Sequence, residues 1–349
     1  MSARMPHGRR SGSFRYNGAG LAGSRLIGAL LTVTVAWRSD VRSAMGVRAR
    51  HLTRRDLLAG MAALPVLAPG RAPAALAPGS SGYSFDIAGR NFDLFFHRPP
   101  RYVDGPLLIV MHGSDRNAWA YRDHARPLGD RLGMLVVAPE FDEKRFPTRL
   151  YQHGGIVRHL ADRPGSQPSG QQPAKAWTVS LVPMIAAAVG RELGVPSPPY
   201  YVIGHSAGGQ FAQKVAAFAP MAARRIVAAN PGVHLFPTLE APYPYGFGGL
   251  KPPAGGEAGL KRYLAAPLTF YQGTGDTTED RHFPQGFYAD QQGRTRNERG
   301  HRCFAAGEQL AREKGWRFNW RLVEARGVTH ESADMFLHPN ATVALGLGS

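Results

Sequence analysis

One cysteine, Cys303, stands in a chain of 349 residues. A single thiol can close no internal disulfide and leaves no cysteine-rich metal site. The thirteen histidines are scattered, without H-E-x-x-H or another ligand spacing, so no metal is expected. The one glycine-dense turn that suggests a phosphate loop, GHSAGGQ, lacks the lysine such a loop needs. No cofactor is therefore expected. Acidic residues are also scarce, with 25 Asp and Glu against 42 Lys and Arg, a formal charge of +17.

Where that charge sits decides what it means. Residues 1–77 hold twelve arginines against only Asp40 and Asp56, whereas the remainder carries 30 basic and 23 acidic side chains. The excess belongs mostly to a leading segment, so the folded part is not expected to bind nucleic acid. Within HLTRRDLLAGMAALPVLAPGRAPAALA, Arg54 and Arg55 precede an apolar run from Leu57 to Leu67, and small residues follow at Ala72, Ala74, Ala75 and Ala77. A charged start, a short apolar centre and an Ala-x-Ala end read as an export signal. The paired arginines resemble a twin-arginine signal, which makes the twin-arginine export machinery a partner and the mature protein periplasmic or extracellular. The run is too short for a membrane span, and no stable span is expected in the mature chain. A second apolar run, LIGALLTVTVAW, lies upstream and is compatible with membrane insertion. Met45 is an alternative start, leaving residues 1–44 disordered or upstream of the true start, 45–77 as the signal and 78–349 as a single domain.

After Ala77, short apolar runs alternate with helix-like segments. FDLFFHR (92–98) reads as an edge strand or hairpin arm. PLLIVMHG (106–113) and MLVVAPEF (134–141) read as strands buried on both faces, with a helix over Trp119–Leu132 between them. Residues 142–176 read as a long irregular connection and 176–193 as mostly helical. YYVIGHS, RIVAANPG (225–232), PLTFYQGTGD (267–276) and FNWRLVEA (318–325) supply further strands, with helices from Ala207 and near Asn297–Lys314. Such alternation implies an α/β fold: a mostly parallel central sheet with helices on both faces. The stretch 233–266, dense in Pro, Gly, Tyr and Phe, is expected to form an irregular cap insertion.

The chemistry centres on YVIGHSAGG. A serine hydroxyl is a weak nucleophile until a base takes its proton and donors hold the resulting oxyanion. A strand that reverses sharply into a helix projects such a serine upward, and side chains two positions either side would collide. Gly204 and Gly208 provide that clearance around Ser206. The same arrangement requires a carboxylate after a later strand and a histidine after the last one. Asp276 follows LTFY, with Glu279 and Asp280 as rivals farther from the strand end. His330 follows FNWRLVEA, whereas His234, His282, His301 and His338 follow no predicted strand. Ser206 is thus the expected nucleophile, His330 its base and Asp276 the group that orients the base. The backbone N–H groups of Ala207 and Ser114 are the expected oxyanion donors. His112 and Gly113 read as structural. Tyr243, Tyr245 and Phe247 in the insertion are candidate substrate-binding residues, with packing of the cap as the alternative.

These motifs resemble the α/β-hydrolase superfamily, and more narrowly the secreted esterases related to polyhydroxybutyrate depolymerases. The similarity runs over roughly residues 85–337, through HGSDRNAWAYRD, VVAPEFD, GHSAGG, PYGFGG, QGTGDTTED, QGRTRNERG and GVTHES. It implies an α/β-hydrolase fold and a carboxylic-ester hydrolase acting on a small-molecule or oligomeric ester through an acyl-enzyme. A peptidase or acyltransferase, or a non-catalytic binding protein on the same fold, are the alternatives. No separate substrate-binding domain follows the catalytic unit, unlike what a depolymerase of solid polymer would be expected to carry.

Overall fold

The computed structural model describes residue 76 and residues 78–348, apart from 162, 196, 220 and 221. The expected disordered or upstream segment 1–44 lies outside the described residues, as does all of the expected signal except Leu76. Among the described residues, ten strands run in chain order: β1 (Gly79–Ile87), β2 (Arg90–Arg98), β3 (Leu107–Met111), β4 (Leu135–Pro139), β5 (Val157–His159), β6 (Ser169–Gln171), β7 (Tyr200–His205), β8 (Ile226–Ala229), β9 (Leu268–Gly273) and β10 (Arg321–Ala325). The α-helices among the described residues are α1 (Ala118–Leu132), α2 (Leu181–Glu192), α3 (Ala207–Phe218), α4 (Gly256–Ala265), α5 (Phe287–Asp290), α6 (Arg296–Lys314), α7 (Ser332–Leu337) and α8 (Asn340–Ala344).

Eight strands form one sheet in the order β1-β2-β4-β3-β7-β8-β9-β10, while β5 and β6 pair separately. From β4 to β10 the strands run parallel. The hairpin β1–β2 adds two antiparallel strands at one edge. Because a parallel sheet is covered on both faces, its central strands are dominated by apolar residues, and every position of β3 and β4 is buried. Along β3, Leu107, Ile109 and Met111 enter one core cluster and Leu108 and Val110 the other. Residues of α2, α3, α4 and α6 belong to the first cluster, and those of α1, α7 and α8 to the second. Each fully buried Leu, Ile or Val contributes about 1.5–3 kcal/mol, so these stripes hold the layers together.

The order matters for the site. After β3 the chain moves outward to β4, then returns to place β7 on the other side of β3. At such a reversal the two connections leave in opposite directions, opening a crevice beyond the carboxyl ends of the strands. The loop from Gly113 and the turn at Ser206 both stand there.

The structure departs from the sequence expectations in five places. The segment FDLFFHR is indeed a hairpin arm, but its partner β1 begins in a Gly- and Ser-rich stretch without an apolar run. The connection 142–176 contains the β5–β6 pair and the first of two short 3₁₀ turns. Helix α2 starts only at Leu181, with Pro183 in its first turn, where a missing N–H is tolerated. The insertion 233–266 ends in the regular helix α4. Leu76 is buried in the core, and its carbonyl accepts a 2.6 Å hydrogen bond from Arg98 Nη1, so the folded part includes a residue assigned to the signal. Among the described residues, no helix is long and apolar enough to cross a membrane.

Candidate active site

Ser206 sits between β7 and α3 with φ 56° and ψ −118°, a conformation L-residues rarely adopt. Strain of this kind is of order 1–3 kcal/mol and persists where its surroundings enforce it. Here Ser206 N donates to Ala229 O at 2.9 Å, and Gln210 N donates to Ser206 O at 3.0 Å. A Cβ on Gly204 would overlap the Gly208 carbonyl, and one on Gly208 would overlap the Met111 carbonyl and reach within 2.7 Å of His112 O. The two glycines are therefore required by close approach of β7, α3 and the end of β3. Ala207 is the first residue of α3, whose leading N–H groups have no partner within the helix.

Asp276 follows β9 and is 1% exposed. Its Oδ2 lies 2.7 Å from His330 Nδ1. The loops carrying the pair are joined through their backbones: Gly275 N donates to Val328 O, 2.9 Å, and Thr274 N to Ala325 O, 3.0 Å. Asn230, at φ 43°, adds a second tie. Its Oδ1 accepts from Gly273 N at 2.7 Å, and its Nδ2 donates to Thr329 O at 3.1 Å. Ser206 and His330 line one cleft of about 340 Å³, together with Ser114, His205 and Asp280. Among the described residues no hydrogen bond joins Ser206 Oγ to the His330 ring. Such bonds often tighten only once substrate is bound.

The rival carboxylates are placed differently. Asp280 lines the cleft and is tied to the fully buried Arg296, which donates from Nη2 to Asp280 Oδ1 at 3.0 Å. Arg296 Nη1 lies 2.9 Å from Asp280 Oδ2 and 3.5 Å from Asp276 Oδ1. One guanidinium thus bridges the two acids, and its hydrogen bond and charge hold the Asp280 carboxyl below its usual range despite partial burial. Glu279 points elsewhere, accepting from Gln285 Nε2 at 3.1 Å. Among the other histidines, His234 is buried against Phe270, His301 pairs with Glu324 and His338 accepts from Asn340 N. His282 stands on the cleft rim, 3.6 Å from Asp115.

Ser114 follows β3 and lines the cleft, its hydroxyl accepting a long 3.5 Å contact from Gln152 Nε2. His112 is a fastening point, as expected of a structural residue. Its Nε2 accepts from Phe141 N at 3.0 Å, which puts the ring proton on Nδ1, 3.0 Å from Gly113 O. Burial lowers His112 to about 4, so the ring is neutral near neutral pH. Arg116, at φ 58°, lies over the Tyr151 ring and donates from Nη1 to Phe141 O at 3.1 Å.

The three aromatics expected to touch substrate do not meet at the cleft. Tyr243 and Phe247 are wholly buried and pack on Phe218, and the Tyr243 hydroxyl donates to His153 O. Tyr245 stacks on Tyr288 and lines a different hollow. The insertion fills the core side of α3, so the substrate role expected of Tyr243 and Phe247 is corrected to packing. Arg296 and Asn230 escaped the sequence reading. The stretch QGRTRNERG carried the only signal for Arg296, and nothing local marked Asn230.

Among the described residues, no group of three or more His, Cys, Asp or Glu side chains is arranged to hold a metal ion. No family model and no curated protein matches the chain. Among solved structures, poly(aspartic acid) hydrolase-1 from Sphingomonas sp. KT-1 superposes with a TM-score of 0.68 at 31% identity, covering 78% of this chain and 99% of that one. LpqC, a poly(3-hydroxybutyrate) depolymerase from Bordetella parapertussis, gives 0.67 at 30% identity, over 78% of this chain and 96% of its own.

Proposed function

Since the chain belongs to the α/β-hydrolase superfamily, with solved relatives that include a poly(3-hydroxybutyrate) depolymerase, we propose that it is a serine hydrolase cleaving carboxylic esters through an acyl-enzyme. The observation that carries this reading is the 2.7 Å Asp276–His330 contact beside a serine held at φ 56° in the same cleft. Ser206 Oγ attacks the ester carbonyl carbon while His330 Nε2 takes its proton. Asp276 keeps the other ring nitrogen protonated and faces the imidazolium that forms. The N–H groups of Ala207 and Ser114 hold the oxyanion, the first reinforced by the helix dipole. The imidazolium then protonates the departing alkoxide, leaving the acyl group on Ser206. Water deprotonated by His330 attacks that acyl carbon, and the imidazolium returns the proton to Ser206 Oγ as the acid is released.

The polar lining, with Ser114, Asp115, Asn117, His124 and Ser332, suits a compact polar acyl or alcohol group better than a long alkyl chain. Amide cleavage is the second reading, favoured by the likeness to a poly(aspartic acid) hydrolase. The reading of residues 45–77 as a twin-arginine signal adds export to the periplasm or exterior.

A fluorophosphonate label, mapped by mass spectrometry, is expected on Ser206. Ser206→Ala is expected to lower release of nitrophenol from short-chain nitrophenyl esters by about 10⁴-fold or more. A label elsewhere, or equal activity in the variant, would overturn the assignment. A panel of hydroxybutyrate and aspartate oligomers separates ester from amide preference.

A further inference from the structure

His205, the residue before the serine, has no step in the reaction just proposed, yet it is 2% exposed and set against the base. Its ring centroid lies 4.6 Å from that of His330, the planes tilted by 40°. Its Nδ1 is 3.2 Å from Tyr121 Oη, while its Nε2 is buried without a hydrogen-bond partner among the described residues. Burial, with His330, Arg296 and His124 nearby, holds His205 well below the usual imidazole range, so the ring is neutral. Burial raises the Tyr121 phenol to about 12, so it keeps its proton.

Tyr121 also stands where three loops of the site meet. A Cβ on Gly113 would come within 2.5 Å of Tyr121 Oη, so the hydroxyl fills the space beside the loop carrying Ser114. The same hydroxyl contacts the turn that presents Ser206. The Tyr121 ring packs edge-on against Phe336 of α7, the helix that starts two residues after His330, with centroids 6.3 Å apart. His124, one turn along α1, reaches the first residue of α7 through a 2.8 Å contact between its Nδ1 and Ser332 Oγ.

We propose that Tyr121 and His205 are a positioning pair: the Tyr121 hydroxyl fixes the His205 ring, and the neutral face of that ring fixes the orientation of His330. The inference rests on the Ser206–His330–Asp276 reading above. The arrangement in which Tyr121 donates to Nδ1 leaves the His205 proton on Nε2. A neutral neighbour is needed because His330 becomes positive during each proton transfer, and a second positive ring at this separation would oppose it. A base that swings by even a fraction of an ångström loses its aim at Ser206 Oγ.

The test uses the full-length protein as Tyr121→Phe, His205→Ala and the double variant, assayed on a short-chain nitrophenyl ester. Active sites are counted by fluorophosphonate titration, so kcat is expressed per competent site. Each single variant is expected to lower kcat per site by about tenfold, with KM changed by less than about twofold. The double variant is expected to be no slower than the slower single one, since both substitutions break the same unit. Additive losses, or Tyr121→Phe retaining kcat per site, would overturn the proposal. A purely structural role would reduce the number of titratable sites and leave kcat per site unchanged, which also overturns it. Should His205→Ala not fold, Tyr121→Phe decides alone, because it removes a single oxygen. Failure of wild-type Ser206 to take the label is a separate result and would overturn the underlying serine mechanism instead.

Discussion

Arg296 has no exposed surface and stands between two carboxylates, so its loss leaves more than a missing contact. Removing it leaves Asp276 with His330 as its partner and Asp280 partly in water, at a cost of about 1–3 kcal/mol for the lost charged hydrogen bonds. Arg296→Gln is therefore expected to shift urea unfolding by an amount in that range and to lower kcat by loosening Asp276. An unchanged midpoint would show that the bridge carries no stability. Gly208 is a different kind of residue, required by space alone. Gly208→Ala must push the Met111 carbonyl or the start of α3 aside, which moves the Ala207 N–H and Ser206 together. The rate of fluorophosphonate labelling in that variant is expected to fall by at least about tenfold. Labelling at the wild-type rate would mean that the turn yields without disturbing the serine.

Among the elements, α6 shows how a helix end can be written into a sequence. Thr295 accepts from Glu298 N at 3.1 Å, and Glu298 Oε2 accepts in turn from Arg294 N at 2.6 Å. Thr295→Ala is expected to destabilise by about 1 kcal/mol, measured as a shift of the thermal midpoint, with kcat retained. The strands β3, β4, β7, β8 and β9 were legible because parallel strands covered on both faces are dominated by apolar residues, as LLIVM and LVVAP are. The β1 strand was not, because it lies at the sheet edge, where alternate side chains face water and GSSGYSFDI needs no apolar run. The fate of the insertion was likewise hidden, since aromatic and proline-rich chain serves equally to line a cleft or to fill a core. Only the position of Phe218, against which Tyr243 and Phe247 pack, settles which it does.

For the whole molecule, buried bases set the response to pH. Burial lowers His112 to about 4 and His153 to about 3, and holds His205 and His234 well below the ordinary range. Between those values and the unfolded value of about 6.5, the unfolded chain binds more protons than the folded one. Stability must then rise with pH across that window and be lost as pH falls, by up to about 1.4 kcal/mol per unit for each histidine. Urea midpoints from pH 6.5 to 4 are expected to fall steeply, and a flat profile would contradict the burial of these rings. Lys214 acts in the same sense at higher pH. Its amine is wholly buried without a partner among the described residues, and burial lowers it to about 7. Stability is expected to keep rising from about pH 7 toward 10.5, and Lys214→Met to be more stable than wild type at pH 7, as read by melting temperature. The burial of Leu76 bears on maturation. Cleavage of the proposed signal is expected at Ala72-Pro73-Ala74, so N-terminal sequencing of exported protein should begin at Ala75. A start at Pro78 would remove a core residue.

Sequence alone pointed to a doubly covered parallel sheet, a serine turn cleared by glycines and the proposed order of serine, acid and base. Those features are local: apolar runs, glycine clearance and the residue that ends each strand lie in contiguous stretches. The bridging by Arg296, the tie through Asn230 and the stacking of His205 required the tertiary structure. Each depends on groups from separate loops arriving within a few ångströms of one another, and that proximity is set by the strand order rather than by any stretch of sequence.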